Sequence, residues 1–293
     1  MVENVLTTPQ LDDLRSDLRP ILANASSVTE SDDIYDLEPG HAPDSPRVRR
    51  IKTPHLVMPS VDALARSPVL VNMLTLLLGP SVRFQISKLN MKSAGYGAAV
   101  EWHQDWAFYP HTNDDLLAVG VMLDDVDLSN GPMQVIPGSH KGPVYDHHAG
   151  GFFCGAIDPT RCDVDFSTAV PLTGAAGSLT FHHVRTVHGS APNLSDKPRN
   201  FLIFQYTAAD AWPLVQPVED IAAYDAMIVA GEPTLEPRVE TVPVRLPLPP
   251  APLQGSIYEN QTSLENRFFG DDSSAAKGAG IYSLSGDSER RSE

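Results

Sequence analysis

Apolar residues at Leu11, Leu14, Leu18 and Leu22 recur near the helical period behind a capping hydroxyl at Thr7 or Thr8, so a surface helix is predicted over residues 8–22. A second helical stretch covers residues 60–78, with Pro68 as a break or first-turn residue and Gly79-Pro80 as its stop. Residues 25–46, between the two, are polar and Pro-containing and read as a long loop. Beyond residue 80 the period drops to two. Val82, Phe84 and Ile86, then Leu89 and Met91, alternate with polar neighbours and predict a strand over residues 82–91, with an irregularity near Lys88. Further short strands are predicted over residues 98–103, 116–123, 133–136, 169–172, 178–182, 200–206 and 242–246. Turn chemistry such as Asn130-Gly131-Pro132 and Pro137-Gly138 separates them. No strand-helix rhythm indicates a parallel sheet. The fold class expected is an all-β core with flanking helices, best fitted by a double-stranded β-helix, the cupin-like jelly roll.

One domain is expected over residues 1–269. Residues 270–293 are rich in Ser, Gly, Asp and Ala and too poor in large apolar side chains to offset ordering entropy, so a mobile tail is expected, with Ile281-Tyr282 docking locally. No apolar run approaches the roughly 20 residues of a membrane-spanning helix. Met1 to Thr8 lack the basic start and apolar stretch of a secretory signal, which points to the cytoplasm. Cys154 and Cys162 are too few for a disulfide framework and read as reduced structural thiols. The net charge of −16 opposes general affinity for nucleic acid or an anionic membrane, although a local pocket can be basic within an acidic protein. Glu30, Asp32, Asp33, Asp36 and Glu38 form one acidic run, read as a solvated face or loop.

The chemistry centres on Trp102-His103-Gln104-Asp105-Trp106, which follows a predicted strand. On an extended backbone, residues two apart share a face, so His103 and Asp105 can bind one ion through imidazole and carboxylate. A His-x-Asp triplet alone is weak, since it occurs by chance in many proteins. His188, after the strand Ser178 to Phe181, supplies a third donor. Two imidazoles and a carboxylate on one face of an octahedral ion leave positions open for oxygen activation at iron(II). Arg199 follows eleven residues beyond His188, after a turn-rich stretch that should reverse the chain. That brings its guanidinium near the metal site, where a planar fork suits the far carboxylate of a chelating dicarboxylate. Trp106, Phe108, Tyr109 and His111 leave the motif toward the barrel mouth, and Trp106, Tyr109 and His111 are candidate substrate contacts. His182 and His183 are strand neighbours, of which at most one faces the site. His147-His148 read as loop residues, and Phe152-Phe153 as core or lid.

Taken in order, these segments resemble the phytanoyl-CoA dioxygenase family of iron(II) and 2-oxoglutarate-dependent oxygenases. The resemblance runs from Val2-Glu3-Asn4-Val5-Leu6-Thr7 through Lys88-Leu89-Asn90, Trp102 to Asp105, Asn130 to His140 and His188-Gly189-Ser190 to Arg199. It implies that His103, Asp105 and His188 are iron ligands and that Arg199 and Ser190 hold the C5 carboxylate of 2-oxoglutarate. Asn90 falls where co-substrate contact is expected, and Gln85 is a further candidate. The family usually has a glycine-containing strand before a segment like Val2 to Leu6, so this chain is expected to be shortened or to start late. Relatives that halogenate carry a small residue where Asp105 stands, so hydroxylation or a related oxidation, such as desaturation or ring formation, is implied, with iron(II) as the bound metal, 2-oxoglutarate and O2 consumed, and succinate and carbon dioxide released. The expected partner is a small-molecule substrate, with neither nucleic acid nor membrane involved, and the protein is expected to be a monomer or homodimer. Two rival readings remain at this point: a jelly-roll zinc or manganese hydrolase or isomerase, and a non-catalytic binding protein of the same fold.

Overall fold

The period-two pattern builds the centre of the molecule. In the computed structural model, which describes residues 1–95, 97–215, 217–249 and 256–270, β3 (Val82–Lys92) pairs antiparallel with β12 (Arg199–Ala208) along its length. Numbered in chain order, the larger sheet runs β1 (Tyr35–Leu37), β2 (Val48–Lys52), β3, β12, β5 (Leu116–Met122) and β10 (Leu179–His183), and β13 (Ile228–Ala230) also pairs β3. A four-stranded sheet runs β4 (Val100–His103), β11 (His188–Ser190), β6 (Met133–Val135) and β9 (Val170–Pro171). β7 (His148–Ala149) and β8 (Phe152–Phe153) form a separate hairpin. The core is thus mostly β-sheet with some helices.

One face of the larger sheet carries Leu89, Val119, Val121, Leu202 and Phe204, which pack in a single apolar cluster with Leu11, Leu14 and Leu18 of α1 (Thr8–Asn24) and Leu70 and Leu74 of α3 (Pro68–Leu78). Each such leucine, fully buried, contributes about 1.5–3 kcal/mol. The alternate residues of β3 and β12, Lys88, Asn90, Arg199, Phe201 and Ile203, line a cavity on the other face. Helix α1 begins where expected, with Thr7 and Gln10 forming a capping box. Pro68 starts α3 after a break from α2 (Pro59–Ala65), as its fixed φ and missing N–H favour. Among the described residues no single helix is long and apolar enough to cross a membrane.

Four expectations change. The loop over residues 25–46 contains β1, which pairs with the unforeseen β2. Within the acidic run Asp36 is buried, because it accepts from Arg49 Nε at 2.8 Å and pairs with Arg50 Nη2 at 2.9 Å. Residues 242–246 form no strand: Pro243 has no N–H for a ladder, and its carbonyl instead accepts from Trp106 Nε1 at 2.8 Å. The irregularity in β3 falls at Gln85 rather than Lys88, since Gln205 pairs Ile86 while Tyr206 pairs Phe84. The tail beyond Gly270, with Ile281-Tyr282, lies outside the described residues.

Gly120 in β5 sits opposite Ile203 and Thr180. A Cβ there would come within 2.1 Å of Phe201 Cζ and 2.5 Å of Thr180 Oγ1. Gly120→Ala should therefore destabilise the protein by about 1–3 kcal/mol through overpacking. Chemical denaturation checks this, and an unshifted midpoint would mean that Phe201 moves aside without cost.

Candidate metal centre

His188 on β11 pairs directly with His103 on β4, and opposed residues of an antiparallel pair project to the same face. The chain stays extended through Gln104 before Asp105 opens a 3₁₀ turn, Asp105–Ala107. Gln104 turns the other way: its Nε2 donates to the carbonyls of Pro143 and Arg185 at 3.0 and 2.9 Å, and its Oε1 accepts from Tyr145 N at 2.9 Å. His103 and Asp105 are left on one side. The donor atoms of His103, Asp105 and His188 all lie within 4.8 Å of one another, and all three residues are buried.

Backbone carbonyls select the tautomers. Nδ1 of His103 faces Glu101 O at 2.8 Å, and Nδ1 of His188 faces Thr186 O at 2.9 Å. A carbonyl can only accept, so both Nδ1 atoms carry the proton and each Nε2 presents a lone pair. Burial reinforces this by lowering the pKa of His103 to about 4 and that of His188 well below its usual value. Burial alone would raise the Asp105 carboxyl, but Lys88 and the surrounding imidazoles outweigh it and hold the group well below the usual carboxylate range. Lys88 Nζ and His103 Nε2 each lie 3.9 Å from Asp105 Oδ1, and His182 Nε2 lies 3.6 Å from Oδ2. Two neutral imidazoles and one carboxylate form a donor set suited to iron(II).

Strand alternation separates the remaining histidines. His182 faces the centre, its ring 4.6 Å from that of His188, and neither nitrogen has a hydrogen-bond partner among the described residues. His183 points away, 3.9 Å from Asp114. His147 accepts from Gln104 N through Nε2 and donates to Tyr145 O through Nδ1, so it braces the motif instead of offering a free nitrogen.

Two cavities meet at the triad. The smaller is bordered by all three donors together with Asn90, Ser190 and Arg199. Arg199 is buried, which lowers its pKa to about 10, and Nη2 donates to Gly131 O at 3.0 Å while Nε has no partner among the described residues. Gly131 has a φ of 71°, and a Cβ there would lie 2.7 Å from Ala191 O, so the Asn130-Gly131 turn that holds Arg199 needs glycine. The larger cavity, about 1120 Å³, is bordered by His103, Asp105, Lys88, Tyr109 and His111.

Residues 1–201 match the family model for phytanoyl-CoA dioxygenase (PhyH). The chain belongs to the phytanoyl-CoA dioxygenase family. It is 39% identical over 272 residues to a probable alpha-ketoglutarate-dependent hypophosphite dioxygenase of Stutzerimonas stutzeri, covering 92% of this chain and 94% of the relative. It is 33% identical over 180 residues to an L-proline trans-4-hydroxylase of Streptomyces griseoviridis, covering 51% of this chain and 63% of that protein. A crystal structure of EctD from S. alaskensis with bound Fe superposes with a TM-score of 0.61 at 25% identity, covering 82% of each chain. This phytanoyl-CoA dioxygenase family member is an enzyme, an iron(II) and 2-oxoglutarate-dependent dioxygenase that consumes O2.

Two candidate site residues of this dioxygenase stand apart from the smaller cavity. Gln85, expected at the co-substrate, borders the larger cavity and lies 2.7 Å from His111 Nε2; alternation with Ser87 and Leu89 would turn it to the core, and the bulge brings it to the cavity face. Trp106, expected at the substrate, is buried among Leu116, Val184, Ala208 and Ala211, so it is a packing residue. Gln205 and Tyr258 border the cavities but were not singled out from sequence. For Gln205 the signal was present, since Arg199, Phe201, Ile203 and Gln205 share one face at period two.

Replacing His103, Asp105 or His188 by Ala should each weaken iron(II) binding by more than the roughly 10–100-fold that loss of an outer partner causes, and abolish turnover. Metal titration with far-UV circular dichroism as the folding control checks this, and a variant with native affinity would exclude that residue as a ligand.

Proposed function

We propose that His103, Asp105 and His188 hold the iron, that Arg199, Ser190 and Asn90 receive 2-oxoglutarate in the smaller cavity, and that an anionic small molecule is oxidised at the inner end of the larger one. Residues 1–269 act as one catalytic domain, with the two sheets read as the halves of a double-stranded β-helix. The carrying observation is Lys88, whose ammonium lies 3.9 Å from Asp105 Oδ1 where both cavities meet.

Formal charge supports an anion. Iron(II) and Arg199 supply three positive charges, matched by Asp105 and the dianionic co-substrate. The nearby Arg50 is paired with Asp36. Lys88 is then left over, and in a partly desolvated pocket an unmatched ammonium favours a ligand of opposite charge. The relative named for hypophosphite, a phosphorus oxyanion, agrees with this sign. A cavity of about 1120 Å³ also admits larger carboxylates or phosphorus oxyanions. The bond oxidised is a C–H or P–H bond close to the charged group.

Bound iron with 2-oxoglutarate and O2 supplies the oxidising chemistry. The chain contributes placement: Lys88 fixes the anion, and Tyr109, His111 and Gln85 border its remaining surface. Burial and Asp105 raise the Tyr109 pKa well above its usual value, so its hydroxyl stays a donor. The net charge of −16 favours small-molecule partners over nucleic acid or anionic membrane.

Succinate formation should rise when hypophosphite or a small carboxylate is added. Lys88→Met should raise the KM of that substrate roughly tenfold or more and leave its substrate-independent decarboxylation of 2-oxoglutarate nearly unchanged. Stimulation by neutral compounds alone, or equal loss of both activities, would refute the anionic reading.

A further inference from the structure

The match to the family model ends at residue 201, yet residues 256–270 border both cavities. Their anchors converge on β4, just before His103. Gln261 Oε1 accepts from Glu101 N at 2.9 Å, and its Nε2 donates to Ala99 O at 3.0 Å. The buried Glu101 carboxylate accepts from Phe268 N and Phe269 N at 2.9 and 3.1 Å. The rings of Phe268 and Phe269 pack 5.7 and 5.6 Å from that of Trp102. Arg49 Nη2 pairs with Glu259 at 2.7 Å. The segment is therefore tied down as a strap across the strand that carries the metal motif.

The strap delivers Tyr258 to the smaller cavity. This residue is 5% exposed, and Arg49 lies 5.1 Å over its ring. Its hydroxyl has no hydrogen-bond partner among the described residues, which is costly for a buried phenol. Arg199 Nε, Arg50 Nε and Asn90 Oδ1, on the wall of the same cavity, are buried and equally without partners. Three donors beside one unfilled space indicate a ligand that accepts several hydrogen bonds and carries negative charge. Burial pushes the Tyr258 pKa up to about 12, against the pull of Arg50 and Arg199, so the phenol remains a donor.

We propose that Tyr258 is a binding residue for 2-oxoglutarate, its hydroxyl donating to the distal carboxylate that Arg199 pairs with. This makes the C-terminal strap part of the co-substrate site, and it rests on assigning the smaller cavity to 2-oxoglutarate. The phenol supplies a hydrogen bond that Arg199 alone leaves unmade and contributes no charge of its own.

Tyr258→Phe removes the hydroxyl and keeps the ring. Titrating the full-length iron(II) enzyme without oxygen, the Kd for 2-oxoglutarate should rise roughly tenfold, with iron affinity unchanged. The Kd for 2-oxopentanoate, which has the same chain length without the distal carboxylate, should not move. Unchanged 2-oxoglutarate affinity, or equal weakening of both oxo acids, overturns the proposal, the second pattern marking Tyr258 as a packing residue. Arg199→Ala separates the two layers: if it weakens 2-oxoglutarate and Tyr258→Phe does not, only the role of Tyr258 fails. If neither does, the assignment of the cavity fails with it.

Discussion

Everything at the centre depends on the pairing of His188 with His103 across β11 and β4. A slip of one residue in an antiparallel pair turns every side chain to the opposite face, which here would exchange an imidazole for Gly189 or Trp102. The register is held from outside the two strands. Gln104 ties the motif to the carbonyls of Pro143 and Arg185, and Gln261 and the chain around Phe268 tie β4 from its other side. Burying two imidazoles and a carboxylate together is unfavourable. The carbonyls of Glu101 and Thr186 offset part of that cost and leave the two Nε2 lone pairs facing inward. The centre is thereby preorganised for a cation.

Electrostatics in this chain works at two scales. The surface is strongly acidic, with a net charge of −16. Around the smaller cavity the balance reverses, because Arg50, Lys88 and Arg199 all border it. A buried acid makes that possible: Asp36 holds both Arg49 and Arg50, so guanidinium groups can sit close together behind the cavity wall. Surface charge more than a Debye length away is screened by salt, whereas charges at the site act through a medium of lower effective dielectric. The sign of the substrate is therefore better read from Lys88 than from the isoelectric point.

The metal motif was legible because its spacing is a local consequence of extended backbone, as was the helical period of Leu11, Leu14 and Leu18. What pairs at long range was not. β2 escaped because Arg49 and Arg50 interrupt any apolar alternation, and they are tolerated only because Asp36, more than ten residues earlier, receives them. The direction of Gln85 was not legible because a one-residue bulge leaves no mark in composition and reverses where a side chain points. Trp106 looked like a contact at the mouth because it adjoins Asp105. Its indole instead reaches Pro243, in a segment whose path no periodicity reveals. Tyr258 carries no periodic signal, since the helix that holds it, Ile257–Asn260, is a single turn.

The two halves of the site draw differently on the chain. The proposed iron ligands and Arg199 fall within residues 1–201, the span matched by the family model. The wall of the larger cavity draws on Gln205, Pro213, Val218, Tyr224, Leu248 and Ile257, all beyond that span. Oxygen activation demands fixed positions within a few ångströms, which strand register supplies. Substrate choice demands only a surface of suitable shape and charge, which loops and short turns can provide without altering that register. Lys88 stands where the two parts meet, on the strand that lines both cavities, so one side chain can join the oxidative centre to the proposed charge of the substrate.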